Sequence, residues 1–488
     1  PALIERGFVD AGGRPLASAF SGGSSRGGYN AGSMSRRLAG WTPALSGPNQ
    51  AYWGDFAVLV SRSRDAVRNN AYARKAVHSF VSNAVGTGII PRWRRLRKHL
   101  VGRLGMTEAA AAGVVSDLIA VWDDWVSAAD ADGRLSFYGL QALALQTMLV
   151  SGESLARIRT RRLDDDLPVP LQIQLLEPDY LDSSQHGDVA EGGRRSIRRL
   201  GVEFDGIGRR RAYWIHPRHP GDDVWTGIQT ESRRVPAADV VHLYRLDRPG
   251  QVRGIPWLAP VLASLHALNE YEDATLVGQK IQARFAAFVT RDPVSGHMPS
   301  GFSGEDPGEE PELPALEPGL VSELPEGADI KFAEPQGVPG TFEPYIGHQL
   351  RRFAAGVGVT YEQLSGDLRG VNYSSIRAGL VEFRRWCESF QYLILIEQFC
   401  KPIMDAWLRH VFAAGIVEMP GYAENPRPYH QVEWIPPGWD WVDPEKDIKA
   451  KALAVKSGFE TRTGIIAELG YHCRAEHTGE GHPGRVGH

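Results

Sequence analysis

The sequence predicts an α+β protein, and three observations carry that prediction. Apolar residues recur at helical spacing in two long runs. One holds Leu258, Val261, Leu262, Leu265, Leu268, Val277, Ile281, Phe285 and Phe288, the other Ile376, Leu380, Phe383, Trp386, Phe390, Leu393, Ile394 and Ile396. Between residues 153 and 244 the period shortens to two, in short runs separated by turn residues, the pattern of antiparallel strands. The segment from Arg291 to Pro335 then changes composition. Glu305, Asp306, Glu309, Glu310, Glu312, Glu317, Glu323, Glu326, Asp329 and Glu334 stand there against Lys331, with prolines throughout.

Residues 1–50 are rich in Gly, Ser and Ala, as in a flexible arm that either stays unfolded or orders against a neighbouring subunit. Ser61–Val85 reads as one helix, with Val67, Ala71, Ala76, Val77, Phe80 and Val81 inward and Arg62, Arg64, Arg68, Arg74 and Lys75 outward. The basic run Arg92–Lys98, which contains Trp93, admits two readings: a nucleic-acid contact, or a solvated face or intersubunit salt-bridge belt. Thr107–Ala129 and Ser136–Ser151 follow as helices. Strands are expected at Leu155–Arg161, Leu171–Leu176, Gly201–Phe204, Ala212–Ile215 and Val240–Tyr244.

The second half opens with a helix expected from Pro256 to Phe288, roughly 45–50 Å at about 1.5 Å per residue. Within the acidic insertion, Leu320–Leu324 and Ala328–Phe332 read as two short strands joined by a Pro-Glu-Gly turn. A helix from Phe342 to Gly356, a loop from Val357 to Ser375 and a helix from Ser375 to Phe412 complete an out-and-back arrangement. Pro444–Lys456, capped by Asp443, and Thr461–Leu469 read as short helices, and the tail from His472 is polar.

Composition excludes several classes. At 488 residues the chain needs more than one packed region, and its 42% hydrophobic and 23% charged content is ordinary for a globular protein. Charge is polarised: fifteen Arg or Lys in the first hundred residues face Glu5, Asp10, Asp55 and Asp65. No run of about 18 apolar residues suits a membrane span, and the start carries no apolar signal-peptide core. A chain beginning at Pro1 fits a removed initiator Met or a longer leader. Cys387, Cys400 and Cys473 form no metal framework and fit a reduced compartment.

Candidate chemistry is sparse. Asp123, Asp124, Asp130 and Asp132 lack the companion His or Glu that acid–base or metal chemistry needs. His216, His219, Asp222 and Asp223 sit in a Pro-rich turn that does not hold them on one face. His242, inside an apolar strand, reads as a core imidazole with a satisfied ring. Gly356-Val357-Gly358 lacks a dinucleotide-binding context, and there is no Gly-x-Ser-x-Gly elbow. No catalytic residue, metal or cofactor is expected.

Several motifs in order nevertheless resemble one family. Ser61-Arg62-Ser63-Arg64 with Arg68-Asn69-Asn70-Ala71-Tyr72-Ala73, then Val85-Gly86-Thr87-Gly88-Ile89, Glu177-Pro178-Asp179-Tyr180-Leu181 and Gly254-Ile255-Pro256-Trp257-Leu258-Ala259-Pro260 form the first part. Val371-Asn372-Tyr373-Ser374-Ser375-Ile376-Arg377-Ala378-Gly379 and Trp441-Val442-Asp443-Pro444-Glu445-Lys446 complete it. Over roughly residues 40–470 the chain resembles the lambda-type portal proteins of tailed bacteriophages.

That resemblance implies a portal fold with a mixed α/β wing, long stem helices, a small α/β clip and a helical C-terminal crown. It places a flexible arm at 1–50, the wing at 51–253, the first stem helix at 254–290 and the clip at 291–340. The second stem helix falls at 341–357, the channel loop at 358–375, the long wing helix at 376–415, the crown at 416–470 and a disordered tail at 471–488. It implies a homododecameric ring in the virion, formed in the host cytoplasm. Implied partners are double-stranded DNA, the terminase large subunit, head–tail connector proteins, and the major capsid protein and scaffold, with no membrane. The channel set would be Asp367, Arg369, Asn372, Tyr373 and Arg377, where Arg377 serves equally as an intersubunit salt bridge. Stem cations would be Lys280, Arg284, Arg351 and Arg352, and the clip's docking residues Glu305, Asp306, Glu309, Glu310, Glu312 and Lys331. A non-viral ring or adaptor, or a metal-dependent nuclease, are the alternatives; the nuclease lacks an acidic ligand cluster.

Overall fold

The computed structural model describes residues 45–191, 194–222, 231–282, 288–291, 328–331, 342–369, 372–439, 444–462 and 465. The chain divides into two compact units, residues 1–51 and 52–488. In the first, residues 45–51 are described, where helix α1 (Pro48–Trp53) begins. All later elements belong to the second.

Two helices, α2 (Phe56–Asn69) and α3 (Ala71–Ala84), replace the single helix expected over Ser61–Val85. Asn70 separates them with an extended backbone (φ −110°, ψ 125°). Its side-chain oxygen accepts the Ala73 N–H at 2.9 Å, and its Nδ2 donates to Asn269 Oδ1 at 2.8 Å. An N-cap flanked by apolar positions in helical phase on both sides looks continuous in a sequence. Strand β1 (Ile90–Arg92) and helix α4 (Arg94–Leu104) come next. Trp93 is buried, with its ring 6.2 Å from Trp122 and 6.3 Å from Trp407. It therefore cannot stack on a base, which corrects the aromatic half of the nucleic-acid reading of Arg92–Lys98. Helices α5 (Glu108–Ala128) and α6 (Phe137–Ser151) start at Thr107 and Ser136, whose hydroxyls accept an N–H of the first turn. Between them, Asp130 accepts the backbone N–H groups of Asp132, Arg134 and Leu135 and is thereby committed to loop geometry.

The β region comprises β2 (Glu153–Thr160), β3 (Leu171–Leu176), β4 (Gly187–Glu191), β5 (Arg194–Arg199), β6 (Val202–Phe204), β7 (Arg210–Ile215), β8 (Arg233–Pro236) and β9 (Val240–Tyr244). They form two antiparallel sheets, ordered β3-β2-β9 and β4-β5-β6-β7-β8. Leu155, Leu176, Val202, Tyr213, Ile215, Val235 and Val240 fill the core that they share. Strands β4, β5 and β8 were not expected, because Arg-rich runs such as Arg194–Arg199 hide the apolar alternation.

Helix α7 spans Leu262–Gln282, 21 residues and so about 31 Å. The expected start at Pro256 and end at Phe288 are both corrected. Residues 257–261 form tight turns in which Ala259 and Val261 donate to Pro256 and Leu258. Phe288 lies in strand β10 (Phe288–Arg291), which pairs antiparallel with β11 (Ala328–Lys331), Phe288 opposite Lys331. The partner expected for this second strand, Leu320–Leu324, lies outside the described residues. Helix α8 (Phe342–Val357) runs back along α7: Tyr271 packs on Phe342 and Tyr345 with centroids 6.0 and 4.7 Å apart, and Gly356 meets Val261. The expected loop over 357–375 contains a short helix, α9 (Tyr361–Ser365), started by a Thr360/Gln363 capping box. Helix α10 (Tyr373–Phe390) passes through a π-helical stretch, Gln391–Cys400, into α11 (Lys401–Ala413). Pro402, with no N–H to give, sits just past that stretch.

Helix α12 (Arg427–His430), strand β12 (Glu433–Ile435) and helix α13 (Pro444–Lys456) follow. Strand β12 pairs antiparallel with β1, tying the C-terminal third to the N-terminal helices. The main core draws buried residues from every helix from α3 to α12 and includes Trp93, Trp122, Trp125, Trp407 and Trp434. Among the described residues no helix is long and apolar enough to cross a membrane. Cys387 and Cys400 are free and buried, and burial pushes both thiols up, away from reactivity. Of the arm expected at 1–50, residues 1–44 lie outside the described residues and helix α1 begins at Pro48; the tail at 471–488 also lies outside them.

Candidate functional site

Where the start of β2 meets the segment leading into α7, two glycines cross almost in contact. A Cβ on Gly254 would lie 2.0 Å from the Gly152 carbonyl oxygen, and one on Gly152 2.7 Å from the Gly254 oxygen. Gly152 also has a φ of +91°. This crossing explains the Gly254-Ile255-Pro256-Trp257 motif: Trp257 donates its backbone N–H to Leu149, and its ring stacks on Trp386 at 5.7 Å.

Each glycine has a charged neighbour, and these two meet. Arg253 donates Nε to Glu153 Oε1 at 2.5 Å, Nη1 to Ser183 Oγ and Leu200 O, and Nη2 to Pro178 O. Glu153 Oε2 accepts the Gly254 N–H at 2.9 Å and faces His242 Nε2 at 2.9 Å. His242 Nδ1 lies 2.8 Å from Arg210 Nη1, which can only donate, so Nδ1 accepts and Nε2 carries the proton given to Glu153. The side chains of Glu153, His242 and Arg253 are at most 1% exposed. Burial opposes the charge of Glu153, but the Arg253 guanidinium and the His242 hydrogen bond outweigh it and hold the carboxyl down to about 2. Burial outweighs the pull of Glu153 on His242 and lowers the imidazole to about 4, so it is neutral at pH 7. His242 is thus the satisfied core imidazole expected of it. The ion pair that satisfies it was not anticipated, although a Glu and an Arg each beside a glycine were the available signal.

The expected channel residues lie beyond the far end of α8. Gly358 (φ +69°) turns the chain under Trp386, and Gly366 (φ +73°) ends α9. Arg369 then folds back on Asp367: Nε and Nη2 reach its carboxylate at 3.0 and 2.9 Å, and Asp367 also accepts the Arg369 backbone N–H. Glu343, at the start of α8, takes a further bond from Nη2 at 3.2 Å. Hydrogen bonds from Arg369 hold the Asp367 carboxyl down at about 2, although the pair is exposed. Asn372 is exposed just before α10, Tyr373 is the first residue of that helix, and Arg377 is exposed in its second turn.

The expected stem cations separate. Lys280 lies in the last turn of α7, and Arg284 is outside the described residues. Arg351 and Arg352 are exposed on α8, with the Arg351 guanidinium 4.7 Å over the Tyr361 ring. Of the expected clip residues, Glu305, Asp306, Glu309, Glu310 and Glu312 lie outside the described residues, and Lys331 ends β11.

One group has metal-ligand composition among the described residues, Glu177, Asp179 and His219. Arg64 already pairs with both carboxylates, with Nη2 2.6 Å from Asp179 and 3.0 Å from Glu177. This joins the Ser61–Arg64 and Glu177–Leu181 motifs as one structural contact. His216 and Asp222 are not part of that group, and Asp223 lies outside the described residues.

The chain matches the model of the phage portal protein, lambda family, over residues 34–391. A probable portal protein of Halomonas phage phiHAP-1 is 28% identical over 85% of this chain and 77% of its own length. Portal protein B of Escherichia phage lambda is 22% identical over 94% of this chain and 87% of its own. Among solved structures, a chain from the neck of a native GTA particle computed with C12 symmetry aligns over 86% of this chain and 94% of its own, at 14% identity and a TM-score of 0.47. With its family model covering most of the sequence, the chain belongs to the lambda family of phage portal proteins.

Proposed function

We propose that twelve copies of this chain close into a ring at one capsid vertex, with double-stranded DNA passing through the bore during packaging and ejection. Family membership makes the chain a structural component of the DNA-packaging apparatus, with no catalytic role. A cyclic ring needs two unlike, complementary faces on each subunit. In this reading Asp367–Tyr373 and Arg377 border the bore, and α7 and α8 with Lys280, Arg284, Arg351 and Arg352 form its stem. The acidic insertion over 291–340, with Glu305, Asp306, Glu309, Glu310, Glu312 and Lys331, takes the terminase large subunit and later the head–tail connectors. The remaining surface meets capsid protein and scaffold, in the host cytoplasm during assembly and in the virion afterwards.

The Arg369–Asp367–Glu343 cluster carries this reading. Each phosphate neutralised by a free cation adds salt-dependent grip, and a conduit that gripped its cargo would stall. An arginine already balanced by two carboxylates of its own chain can touch phosphate briefly without holding it. Asp367→Asn together with Glu343→Gln is expected to leave it without either carboxylate, so that assembled particles retain duplex DNA more strongly. The slope of log affinity against log salt should steepen by roughly one per newly engaged arginine. An unchanged slope would remove Arg369 from the bore. The ring itself is tested by native mass together with images down the particle axis; a small dimer without a central opening would favour the adaptor reading.

A further inference from the structure

Strand β2 carries Arg157 and Arg159 at alternate positions, hence on one face of the sheet about 6.8 Å apart, and Arg161 continues the alternation one residue past the strand's end. Three like charges so spaced repel one another, and the chain offers little to offset this. Arg157 has Asp239 nearby but also Arg233. Among the described residues neither Arg159 nor Arg161 has a carboxylate at ion-pair distance.

Glutamines hold these guanidiniums instead. Gln174 Oε1 accepts from Arg159 Nε and Nη2 at 2.9 and 2.6 Å, and Gln172 Oε1 accepts from Arg161 Nε at 2.9 Å. Gln172 is itself pinned, its Nε2 donating to the Ala128 and Asp130 carbonyls at 3.1 Å each. A neutral acceptor fixes the direction of an arginine without cancelling its charge. A guanidinium has five N–H donors, so most remain for a partner. Holding half-buried arginines rigid beside one another costs free energy in the isolated subunit, and an anion laid along the row would recover it.

We propose that the Arg157–Arg159–Arg161 face is a docking surface for an extended acidic protein segment whose carboxylates recur at every second residue. The spacing argues for that partner, since alternate side chains of an extended chain repeat at the same interval as the arginines. The turn that follows β2 argues against a nucleic-acid backbone. Asp164, Asp165 and Asp166 are exposed there, at the end of the row, and would repel a uniform polyanion. A protein segment can change its own charge where the row does. This surface is independent of the ring and bore assigned above.

The test uses the full chain at low salt and three labelled probes: the peptide (Thr-Glu)4, its isomer with the four glutamates contiguous, and a duplex of about 20 bp. The alternating peptide is expected to bind the wild type best, and Arg157→Gln/Arg159→Gln/Arg161→Gln to weaken it by about tenfold. The melting temperature of that variant should be unchanged or higher, because the mutual repulsion is gone. Should the triple variant misfold, Arg159→Gln alone is expected to weaken the peptide by about twofold to threefold. Equal binding of the two peptides, or peptide binding indifferent to the substitutions, would overturn the proposal. So would a duplex that binds more tightly than either peptide and is lost in the variant, which would mark the face as a nucleic-acid surface.

Discussion

Glu153→Gln is expected to destabilise the fold by about 3–5 kcal/mol, the range for breaking a buried ion pair from one side. The substitution keeps the side chain's volume, so a cavity cannot explain the loss. It removes the carboxylate facing Arg253 and, through His242, Arg210. Arginine cannot shed its proton to escape, so positive charge is left uncompensated in the interior. The amide also fits its surroundings badly: its NH2 end must oppose Arg253 Nε at one oxygen site, or the Gly254 and His242 N–H groups at the other. Thermal unfolding is expected to show a fall of about 10 °C. Because Arg253 also donates to Ser183, Leu200 and Pro178, Arg253→Met should be costly too. The double variant should nonetheless lose less than the two single losses added together. A Glu153→Gln protein melting within a degree or two of wild type would show that the pair contributes no stability.

The same cluster sets an acid limit. His242 is lowered from 6.5 to about 4 and Glu153 from 4.5 to about 2. For both groups the folded state binds fewer protons than the unfolded state between those values, so stability rises with pH there and falls on acidification. The His242 contribution is expected to fade between about pH 6.5 and 4, and that of Glu153 between about 4.5 and 2. His242→Gln should flatten the upper part of a stability–pH curve and leave the lower part in place.

Much of the fold was legible from local pattern. Long 3.6-residue stripes gave α8 and the α10–α11 run, and two-residue alternation gave β2, β3, β7 and β9. What stayed hidden depended on distant partners. Asn70 reads as helix interior until Asn269 is beside it, and β11 pairs with a strand on the far side of the acidic insertion. The two carboxylate–arginine contacts that organise the interior join residues 100 or more positions apart, Glu153 to Arg253 and Asp179 to Arg64. At the expected bore, Asp367 beside Arg369 was visible as a charge pair in the sequence. Glu343 was not, because it reaches Arg369 only once α8 has turned back through α9.

Gly254→Ala should be nearly as damaging as the loss of Glu153, for a reason of space alone. The new methyl group would sit 2.0 Å from the Gly152 carbonyl oxygen and 2.8 Å from Tyr244 Cβ. Neither is the end of a flexible side chain, so backbone has to move. Moving Gly254 stretches its N–H bond to Glu153, and moving Gly152 pulls on the start of β2 and on the N–H that it gives to Met148. Overpacking a tight site costs about 1–3 kcal/mol, and occasionally more; coupling to the buried ion pair puts this site at about 3 kcal/mol or above. Gly278→Ala is the matched control. It lies inside α7 with nothing within 4 Å of the added carbon, so the same methyl group should stabilise by about 0.5–1 kcal/mol through helix propensity. Opposite shifts in melting temperature are therefore expected from the same chemical change. If Gly254→Ala instead melts with wild type, the two glycines are not in contact in the folded chain, and no crossing there joins β2 to the segment leading into α7.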